Sequence, residues 1–544
     1  MKFKPSPKRK EKSQQKEKSG IRTKLNFILK RKAPPKETKN QLPVEINKAA
    51  LTFKEFYPVH APFGYVGIEA DERTGKLQYL VIEPTMNSQE QEALEEIKKH
   101  LKTEIVVPLD VLHDEKRTDE FLSKHIQKVI RKFKLAVSSD AVNKFLYYVK
   151  RDFLGYGAID ILMRDQNIED VSCNGTNVPV YVWHRKYESL KTNIIYPSHE
   201  ELDAFITRLA YKTGHQISVA RPILEGTLPE GFRAHLTLDE VSKRGDTFTI
   251  RKVKADPYTI VDLLKFGTTS PQMGAYFWVL IENLRSIMVA GATASGKTAF
   301  LNAIGMFIKP EMKVVTIEEV REIRLHDNWI PMVARPSFQA GVQEVTLYDL
   351  LKSSLRQRPD YIVVGEVRGE EAYTLFQSIA VGHGGLCTIH SESVETVVKR
   401  LLTQPMNIPP MLIPLMNVIV HIGRTKRGNT VARRAMEVAE ITDINQQTGA
   451  AVFSPVFKWN PKTDAFDFTV EDPRKDFILQ KIASTRYIPI DDLVAEIERR
   501  SAILKWMVKK NIHTYDEVAK VVREYYVDPA RVLNKVGLEG TMTK

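Results

Sequence analysis

Cysteine is scarce and long apolar runs are absent from this 544-residue sequence. Its two cysteines, Cys173 and Cys387, are too few for a disulfide framework or for a closed four-ligand zinc site. They are the free thiols expected of a protein in the reducing cytosol. No stretch of 18 apolar residues occurs, so the sequence predicts no transmembrane helix and a cytoplasmic location.

Positive charge is also scarce outside the amino-terminal segment. The chain has a net charge of +13, but residues 1–40 alone hold fifteen Lys or Arg against three Glu. The remaining residues are therefore nearly neutral, which argues against broad nucleic-acid binding by the body of the protein. Residues 1–40 have few apolar side chains and are predicted to be a disordered basic tail.

One segment of this tail, residues 21–32, has a different pattern. Ile21, Leu25, Ile28 and Leu29 recur at helical spacing among Lys and Arg residues. A small basic amphipathic helix of this kind would lie on an anionic membrane surface. An unstructured tail with chance apolar residues explains the pattern equally well, so both interpretations stay open.

In the rest of the chain, the pattern of strand-like and helical segments changes near the middle. Residues 41–264 mix strand-like and helical segments, which predicts an amino-terminal α+β domain. The segment 265–274 collects Gly, Thr, Ser and Pro and is predicted to be an interdomain linker. Within residues 275–544, short β-rich runs alternate with helical segments, which predicts a parallel sheet flanked by helices and a strand and helix extension after it.

A phosphate-binding signature lies near the start of this second part. The segment GATASGKT matches the pattern GxxxxGK[ST] and stands between a β-run and a helical run. Its backbone N–H groups and the helix amino terminus would surround the phosphates of ATP. Lys297 would reach the β- and γ-phosphates, and the Thr298 hydroxyl would ligate Mg²⁺. The residues assigned to nucleotide contacts are Gly291, Ala292, Thr293, Ala294, Ser295, Gly296, Lys297, Thr298 and Ala299.

Acidic residues follow two later β-runs. Glu318 and Glu319 end the run in TIEE, and Glu366 follows the run YIVVG. Because open parallel sheets place ligands at the carboxyl ends of their strands, these carboxylates are predicted to activate the attacking water or to hold Mg²⁺ through water. Gly365 stands where P-loop NTPases usually have a metal-holding Asp, which leaves Thr298 as the main protein ligand of the metal. A solvated acidic turn and a purely structural Glu366 are the alternatives.

Basic and imidazole side chains complete the set. Arg356, Arg358 and Arg368 flank the strand before the second acidic position, an arrangement that favours phosphate sensing over isolated surface ion pairs. His383 and His390 bracket the run GHGGLCTIH. Together with the cysteine between them they lack a fourth ligand for a closed metal site. A neutral histidine that hydrogen-bonds near the γ-phosphate is therefore the preferred interpretation.

These motifs, in this order, resemble those of the type II/type IV secretion ATPase superfamily. GATASGKT corresponds to its Walker A motif, TIEE to its Asp box with Glu319 in place of the usual Asp, IVVGEVRG to its Walker B motif and GHGGLCTIH to its His box. The upstream stretch RPILEGTLPEGFRAHLTL resembles the amino-terminal domain of the archaeal branch, which drives archaella and type IV pili. Bacterial relatives often carry a four-cysteine zinc insert, and its absence also favours the archaeal branch.

The resemblance implies a fold, a reaction and partners. The fold would be a RecA-like α/β core with a parallel sheet, preceded by a smaller α+β domain and followed by a strand and helix extension. The protein would be a homohexameric ATPase that uses ATP and Mg²⁺ and acts on a polytopic inner-membrane platform protein of a filament or secretion machine. Arg221, Arg233 and Arg251 would bring positive charge from the amino-terminal domain to the transferred phosphoryl group. Solvated arginines in turns are the alternative.

Two other functions would use the same ATP site. A nucleic-acid translocase for conjugation or DNA uptake is the first, and the nearly neutral body and the lack of a recognisable nucleic-acid module argue against it. A nucleotide-gated assembly scaffold is the second. It would form ATP-dependent oligomers with negligible turnover.

Overall fold

Two nine-stranded sheets organise the chain, the first built from residues 55–251 and the second from residues 287–468. The computed structural model describes residues 53–538, with gaps at 72–73, 105–113, 254–255, 336–342, 428–429 and 446–449. The basic tail and its segment 21–32 lie outside the described residues. Within the described ranges, no helix combines the length and apolar character needed to cross a membrane.

The first sheet is mostly antiparallel. Its strands are β1 (Glu55–His60), β2 (Gly64–Ala70), β3 (Leu77–Ile82), β4 (Ile168–Cys173), β5 (Pro179–His184), β6 (Glu188–Ile195), β7 (Ile223–Thr227), β8 (Arg233–Thr237) and β9 (Thr247–Arg251). They lie in the order β1-β2-β3-β6-β5-β4-β9-β8-β7, with β3 and β6 paired in parallel. Along β6, buried and exposed side chains alternate, as expected of a strand with one face on a core.

Among the described residues, five α-helices accompany the first sheet. They are α1 (Ser88–Glu104), α2 (Glu115–Phe133), α3 (Ser139–Val149), α4 (Asp160–Arg164) and α5 (His199–Lys212). Helices α1 to α3 share a small core of their own, which includes Ile126 and Phe145. Helix α5 packs on the sheet through Leu202 and Ile206, and the Ser198 hydroxyl caps it by accepting from a backbone N–H of its first turn.

The second sheet is parallel over six strands and antiparallel over the rest. Its strands are β10 (Ile287–Gly291), β11 (Val314–Glu318), β12 (Trp329–Val333), β13 (Tyr361–Val364), β14 (Gly384–His390), β15 (Val418–Arg427), β16 (Thr430–Ile444), β17 (Ala451–Asn460) and β18 (Ala465–Phe468). Their order is β12-β11-β13-β14-β10-β15-β16-β17-β18, and the antiparallel pairing begins at β16. Strands β10, β11 and β13 are buried throughout, because helices cover both faces of a parallel sheet. The predicted RecA-like α/β class is confirmed.

In the part of the chain that the structure describes, ten α-helices belong with the second sheet. They are α6 (Ile260–Lys265), α7 (Pro271–Glu282), α8 (Lys297–Gly305), α9 (Leu347–Leu355), α10 (Glu371–Ala380), α11 (Val394–Leu402), α12 (Phe477–Arg486), α13 (Ile490–Lys509), α14 (Tyr515–Val527) and α15 (Pro529–Val536). Helix α7 is buried along most of its length and packs against α13, which joins the carboxy-terminal helices to the core around β10.

The segment 265–274, which its composition predicts to be a linker, lies inside this second part. It spans the end of α6, a turn and the first turn of α7, and Met273 is fully buried in the core shared with β10. Its polar residues cap a helix, since the Ser270 hydroxyl accepts from the Met273 N–H at 3.1 Å. The passage from one sheet to the other falls earlier, between Arg251 and Ile260.

Candidate functional site

The phosphate-binding loop joins the central strand β10 to the amino terminus of α8. Gly291 ends β10, and Lys297 begins α8. Gly296 has a φ of 91°, a left-handed conformation that glycine adopts without strain. A Cβ on Gly291 would lie 2.4 Å from the Ile422 carbonyl oxygen. Both glycines are therefore required for the tight turn that points backbone N–H groups at a phosphate.

Lys297 is buried in this loop. Its Nζ lies 3.2 Å from the Ala292 carbonyl oxygen and 3.4 Å from Nδ1 of His390. Burial lowers the pKa of Lys297, the Glu366 carboxylate raises it, and two nearby guanidinium groups lower it again, so that the net shift is downward. An ammonium with so little negative charge around it would be stabilised by an anionic phosphate oxygen.

Glu366 and His390 lie near Lys297 because β13 and β14 run parallel beside β10. The Glu366 Oε2 accepts from Arg368 Nη2 at 2.8 Å. Its Oε1 lies 3.2 Å from Nε2 of His390, but without hydrogen-bond alignment, and is buried without a hydrogen-bond partner. Burial raises the pKa of Glu366, but the hydrogen bond and charge of Arg368, with the charge of Lys297, hold it below its ordinary value. The carboxylate is therefore ionised at neutral pH and has one oxygen ready to accept from water.

The two histidines of the His box lie at opposite ends of β14. His390 ends the strand beside Gly291, and burial together with the Lys297 charge lowers its pKa, so its ring is neutral at neutral pH. His383 precedes the strand, with its Nδ1 2.6 Å from the Pro359 carbonyl oxygen. A seven-residue strand, roughly 20 Å long, separates them. Within one chain, His383 therefore does not join the nucleotide site as the sequence predicts, because the motif brackets a whole strand.

The three arginines around β13 also lie at opposite ends of the strand. Arg356 caps the carboxyl end of α9, and Arg358 lies in the turn that leads into β13, so both are at the amino end of the strand. Arg368 follows the carboxyl end. There it contacts Glu366 and also Glu319, to which its Nη1 donates at 3.1 Å. Of the three, Arg368 is the one placed to sense a phosphate.

Glu319 joins the two sheets. Its second carboxylate oxygen, Oε2, lies 3.5 Å from Nη1 of Arg233, which begins β8 of the first sheet. Arg233 on β8 lies opposite Arg251 on the neighbouring strand β9, and the charge of Arg251 lowers the pKa of Lys297. Two of the three predicted arginines therefore face the nucleotide site from the first sheet.

Arg221 has a different position. It is exposed and forms an isolated β-bridge with Ser218. Within the part of the chain that the structure describes, Arg221 is not brought together with Arg233, Arg251 and the phosphate-binding loop. The motif that predicts Arg221 as a site residue spans a hairpin, and only its Arg233 end reaches the second sheet.

Glu318 ends β11 as a buried carboxyl group, 2% exposed. Its Oε1 accepts the backbone N–H groups of Glu322 and Ile323 at 2.9 and 3.0 Å, while Oε2 is buried without a hydrogen-bond partner. Burial raises the pKa of Glu318 to about 7, although these two hydrogen bonds oppose the shift. A Cβ on Gly365 would lie 3.2 Å from the Glu318 Cγ. The glycine at the Walker B position therefore leaves room for a carboxyl group that titrates near neutral pH.

Glu322 and Arg433 are site residues that sequence reasoning misses. Glu322 neighbours the Thr298 hydroxyl: desolvation raises the pKa of its carboxyl group, while the charge of Arg251 and this hydroxyl oppose the shift. A hydroxyl and a carboxylate placed together fit Mg²⁺, which prefers oxygen ligands. Arg433, on β16, donates from Nε to the Ala294 carbonyl oxygen at 3.1 Å. The acidic run TIEEVRE contains a signal for Glu322, whereas nothing in the local sequence indicates Arg433.

The loop, the buried parallel strands and the carboxylates at their ends define a P-loop NTPase with a RecA-like core and an amino-terminal α+β part. More particularly, the chain belongs to the type II/IV secretion system protein family, whose model matches residues 158–451.

Relatives of the chain are found in archaea and bacteria. An uncharacterized protein of Methanocaldococcus jannaschii is 32% identical over 508 residues, which is 89% of each chain. A putative conjugal transfer protein of Mycobacterium tuberculosis is 27% identical over 310 residues, covering 54% of this chain and 86% of the relative. A type IV secretion system protein PtlH homolog of Bordetella bronchiseptica is 30% identical, covering 39% of this chain and 69% of the relative.

Solved structures that resemble the chain include one secretion protein and one pilus protein. The VirB11 ATPase of the Brucella suis type IV secretion system is 25% identical, with a TM-score of 0.27, and the match covers 54% of this chain and 96% of that one. The pilus retraction motor PilT is 15% identical, with a TM-score of 0.34, and the match covers 65% and 93%. At these TM-scores the likeness carries no argument about fold or function.

Proposed function

We propose that this protein is a cytoplasmic, homohexameric, Mg²⁺-dependent ATPase that powers assembly or movement of a type IV pilus-like filament, or secretion, by acting on a membrane platform protein. The observation that carries the proposal is a continuous series of polar and charged contacts from the loop to the first sheet. Its members are Lys297, His390, Glu366, Arg368, Glu319 and Arg233. A motor needs such a route, because ATP must change the contact between its two parts.

The residues of the site divide the chemistry among them. Lys297 and the loop N–H groups bind phosphate oxygens. Thr298 and Glu322 would hold Mg²⁺, which neutralises charge on those oxygens. Glu366 orients the attacking water and accepts its proton, because its carboxylate is ionised and one oxygen lacks a hydrogen-bond partner.

Two arginines of the first sheet would make different contacts in the ATP-bound and ATP-free states. Arg233 and Arg251 face the site from the first sheet, and their charges attract a γ-phosphate held at Lys297. Loss of that phosphate leaves Arg233 with two carboxylates, Glu225 of its own hairpin at 3.1 Å and Glu319 of the second sheet at 3.5 Å. The two sheets would therefore approach each other when ATP binds and separate after hydrolysis.

Replacing Lys297 tests the site assignment. Lys297→Ala removes the ammonium while the glycines of the loop remain, so ATP turnover by the full chain should fall by about a hundredfold or more. Unchanged turnover would show that the loop does not hold the reacting nucleotide. Nucleotide-dependent oligomers without measurable turnover in the unaltered chain would instead support an assembly scaffold.

A nucleic-acid translocase is the second candidate, and the relatives described as putative conjugal transfer proteins favour it. ATPase assays with single-stranded DNA and with anionic lipid vesicles separate the two functions. Stimulation by vesicles but not by DNA supports the filament motor. Strong stimulation by DNA without an effect of lipid supports the translocase.

A further inference from the structure

A cluster of one histidine and two aspartates lies on the first sheet, at the end of the β8–β9 hairpin opposite to Arg233 and Arg251. Asp239 and Asp246 flank the turn between the two strands, and His199 begins α5. The His199 Nε2 lies 3.5 Å from Asp239 Oδ2, and its Nδ1 lies 3.9 Å from Asp246 Oδ2. The hairpin turn and the helix therefore meet through these three side chains.

Asp246 is the unusual member of the cluster. It is 1% exposed, whereas the side chains of His199 and Asp239 are half exposed. Its Oδ1 accepts the Asp239 backbone N–H at 2.8 Å, but its Oδ2, which faces His199, is buried without a hydrogen-bond partner. A buried carboxylate oxygen left without a partner is costly, and a cation bound beside it would offset that cost.

An ion pair with His199 does not satisfy Asp246 equally well. Separations of 3.5 and 3.9 Å between the ring nitrogens and the carboxylates are longer than hydrogen bonds. One ligand atom from each of the three residues lies within 4.8 Å of the others. Ligand atoms around a tetrahedral Zn²⁺ are about 3.4 Å apart, so small side-chain rotations would close the shell.

We propose that His199, Asp239 and Asp246 bind a divalent transition-metal cation. One imidazole nitrogen and two carboxylates suit Zn²⁺ or Mn²⁺, and they exclude the soft cations that need thiolate ligands. Asp203 lies one helical turn beyond His199 on α5 and is placed to supply a fourth ligand. The cation would tie the hairpin turn to α5 and so fix the two strands whose other ends carry Arg233 and Arg251.

Titration calorimetry of the untagged full chain with ZnCl₂ and with MnCl₂, without nucleotide, tests this site. We expect one saturable binding event and a higher thermal midpoint in the presence of the metal that binds. Asp246→Asn keeps the shape of the side chain and should weaken binding at least about tenfold. Asp239→Asn, at a half-exposed position, should weaken it similarly and guards against a folding defect. Glu200→Gln, next to His199 on α5, is the matched control and should bind as the unaltered chain does.

Three results would overturn the proposal. The first is the absence of saturable binding of either metal. The second is binding that persists unchanged in Asp246→Asn and in Asp239→Asn, because the metal would then lie elsewhere. The third is a loss of thermal stability in both variants that is the same with and without the metals, which is the result expected of an ion pair alone.

Discussion

The Nε2 of His390 lies 3.2 Å from the Oε1 of Glu366 at the carboxyl ends of two neighbouring parallel strands. This oxygen is buried and accepts no hydrogen bond, while the other is held by Arg368. Glu366 is thereby fixed in orientation and kept ionised, and one lone-pair direction is left for a water molecule. The neutral imidazole separates this carboxylate from the Lys297 ammonium.

Gly365 makes room for Glu318, and substitution at this position should show it. In Gly365→Ala the new Cβ lies 3.2 Å from the Glu318 Cγ, so the free energy of unfolding should fall by about 1–3 kcal/mol. Gly365→Asp restores the usual Walker B residue but adds a second carboxyl group beside a buried one. It should be less stable than Gly365→Ala, as measured by denaturant unfolding. An Asp variant at least as stable as the Ala variant would contradict this role of the glycine.

The buried carboxyl of Glu318 should make stability fall as pH rises toward neutrality. Burial raises its pKa from 4.5 to about 7, so between these values the unfolded chain releases its proton before the folded chain does. The folded state therefore loses about 3 kcal/mol between roughly pH 4 and pH 8. Glu318→Gln removes this loss. The thermal midpoint of the variant minus that of the unaltered chain should therefore be larger at pH 8 than at pH 5.

Glu366→Gln is the control for this experiment. The pKa of Glu366 lies below its ordinary value, so its titration falls below pH 5 and its replacement should leave the pH 5–8 trend unchanged. A Glu318→Gln variant with the same trend as the unaltered chain would mean that Glu318 is not a strained, buried carboxyl.

Arg233 should matter more for turnover than for stability. Its pairs with Glu225 at 3.1 Å and Glu319 at 3.5 Å are both part-exposed, so Arg233→Gln should change the free energy of unfolding by less than about 1 kcal/mol. The turnover number for ATP should fall by about 10² or more, since an arginine stabilises charge on the transferred phosphoryl group. Lys191→Gln, an exposed basic residue on β6 of the same sheet, is the control and should change neither quantity.

Glu322 should set the Mg²⁺ requirement. Glu322→Gln keeps a side chain that can pair with Thr298 but removes the charge that would support the metal, so more Mg²⁺ should be needed for half-maximal ATP turnover. We expect a shift of about tenfold, whereas the exposed Glu311→Gln should show none. A Mg²⁺ dependence unaltered in Glu322→Gln would remove this residue from the metal site.

The core of the site follows from local sequence rules, and its surroundings do not. A β-run that can be read from the sequence directly precedes the loop, Glu318 and Glu366. The carboxyl ends of parallel strands meet at one edge of the sheet, so these residues are expected to lie together. His383 is misplaced by sequence reasoning because a motif read as one unit contains a whole strand. Arg433 is missed because the antiparallel extension brings it to the loop from 139 residues away.

The segment 265–274 shows a second limit of what amino-acid composition can predict. Gly, Thr, Ser and Pro in residues 265–274 are typical of an interruption between helices, but they cannot distinguish a flexible connection from a capped break between two buried helices. That distinction depends on which side chains pack against β10, and this is a tertiary property.

The most direct measurement is single-turnover hydrolysis of radiolabelled ATP by the full chain and by Glu366→Gln, with nucleotide affinity measured in parallel. The substitution preserves the size of the side chain and removes the proton acceptor. We predict ATP affinity within about threefold of the unaltered chain and a hydrolysis rate lower by about 10²–10⁴. Hydrolysis at the unaltered rate would contradict the assignment of Glu366 as the water-activating carboxylate, and with it the account of this site.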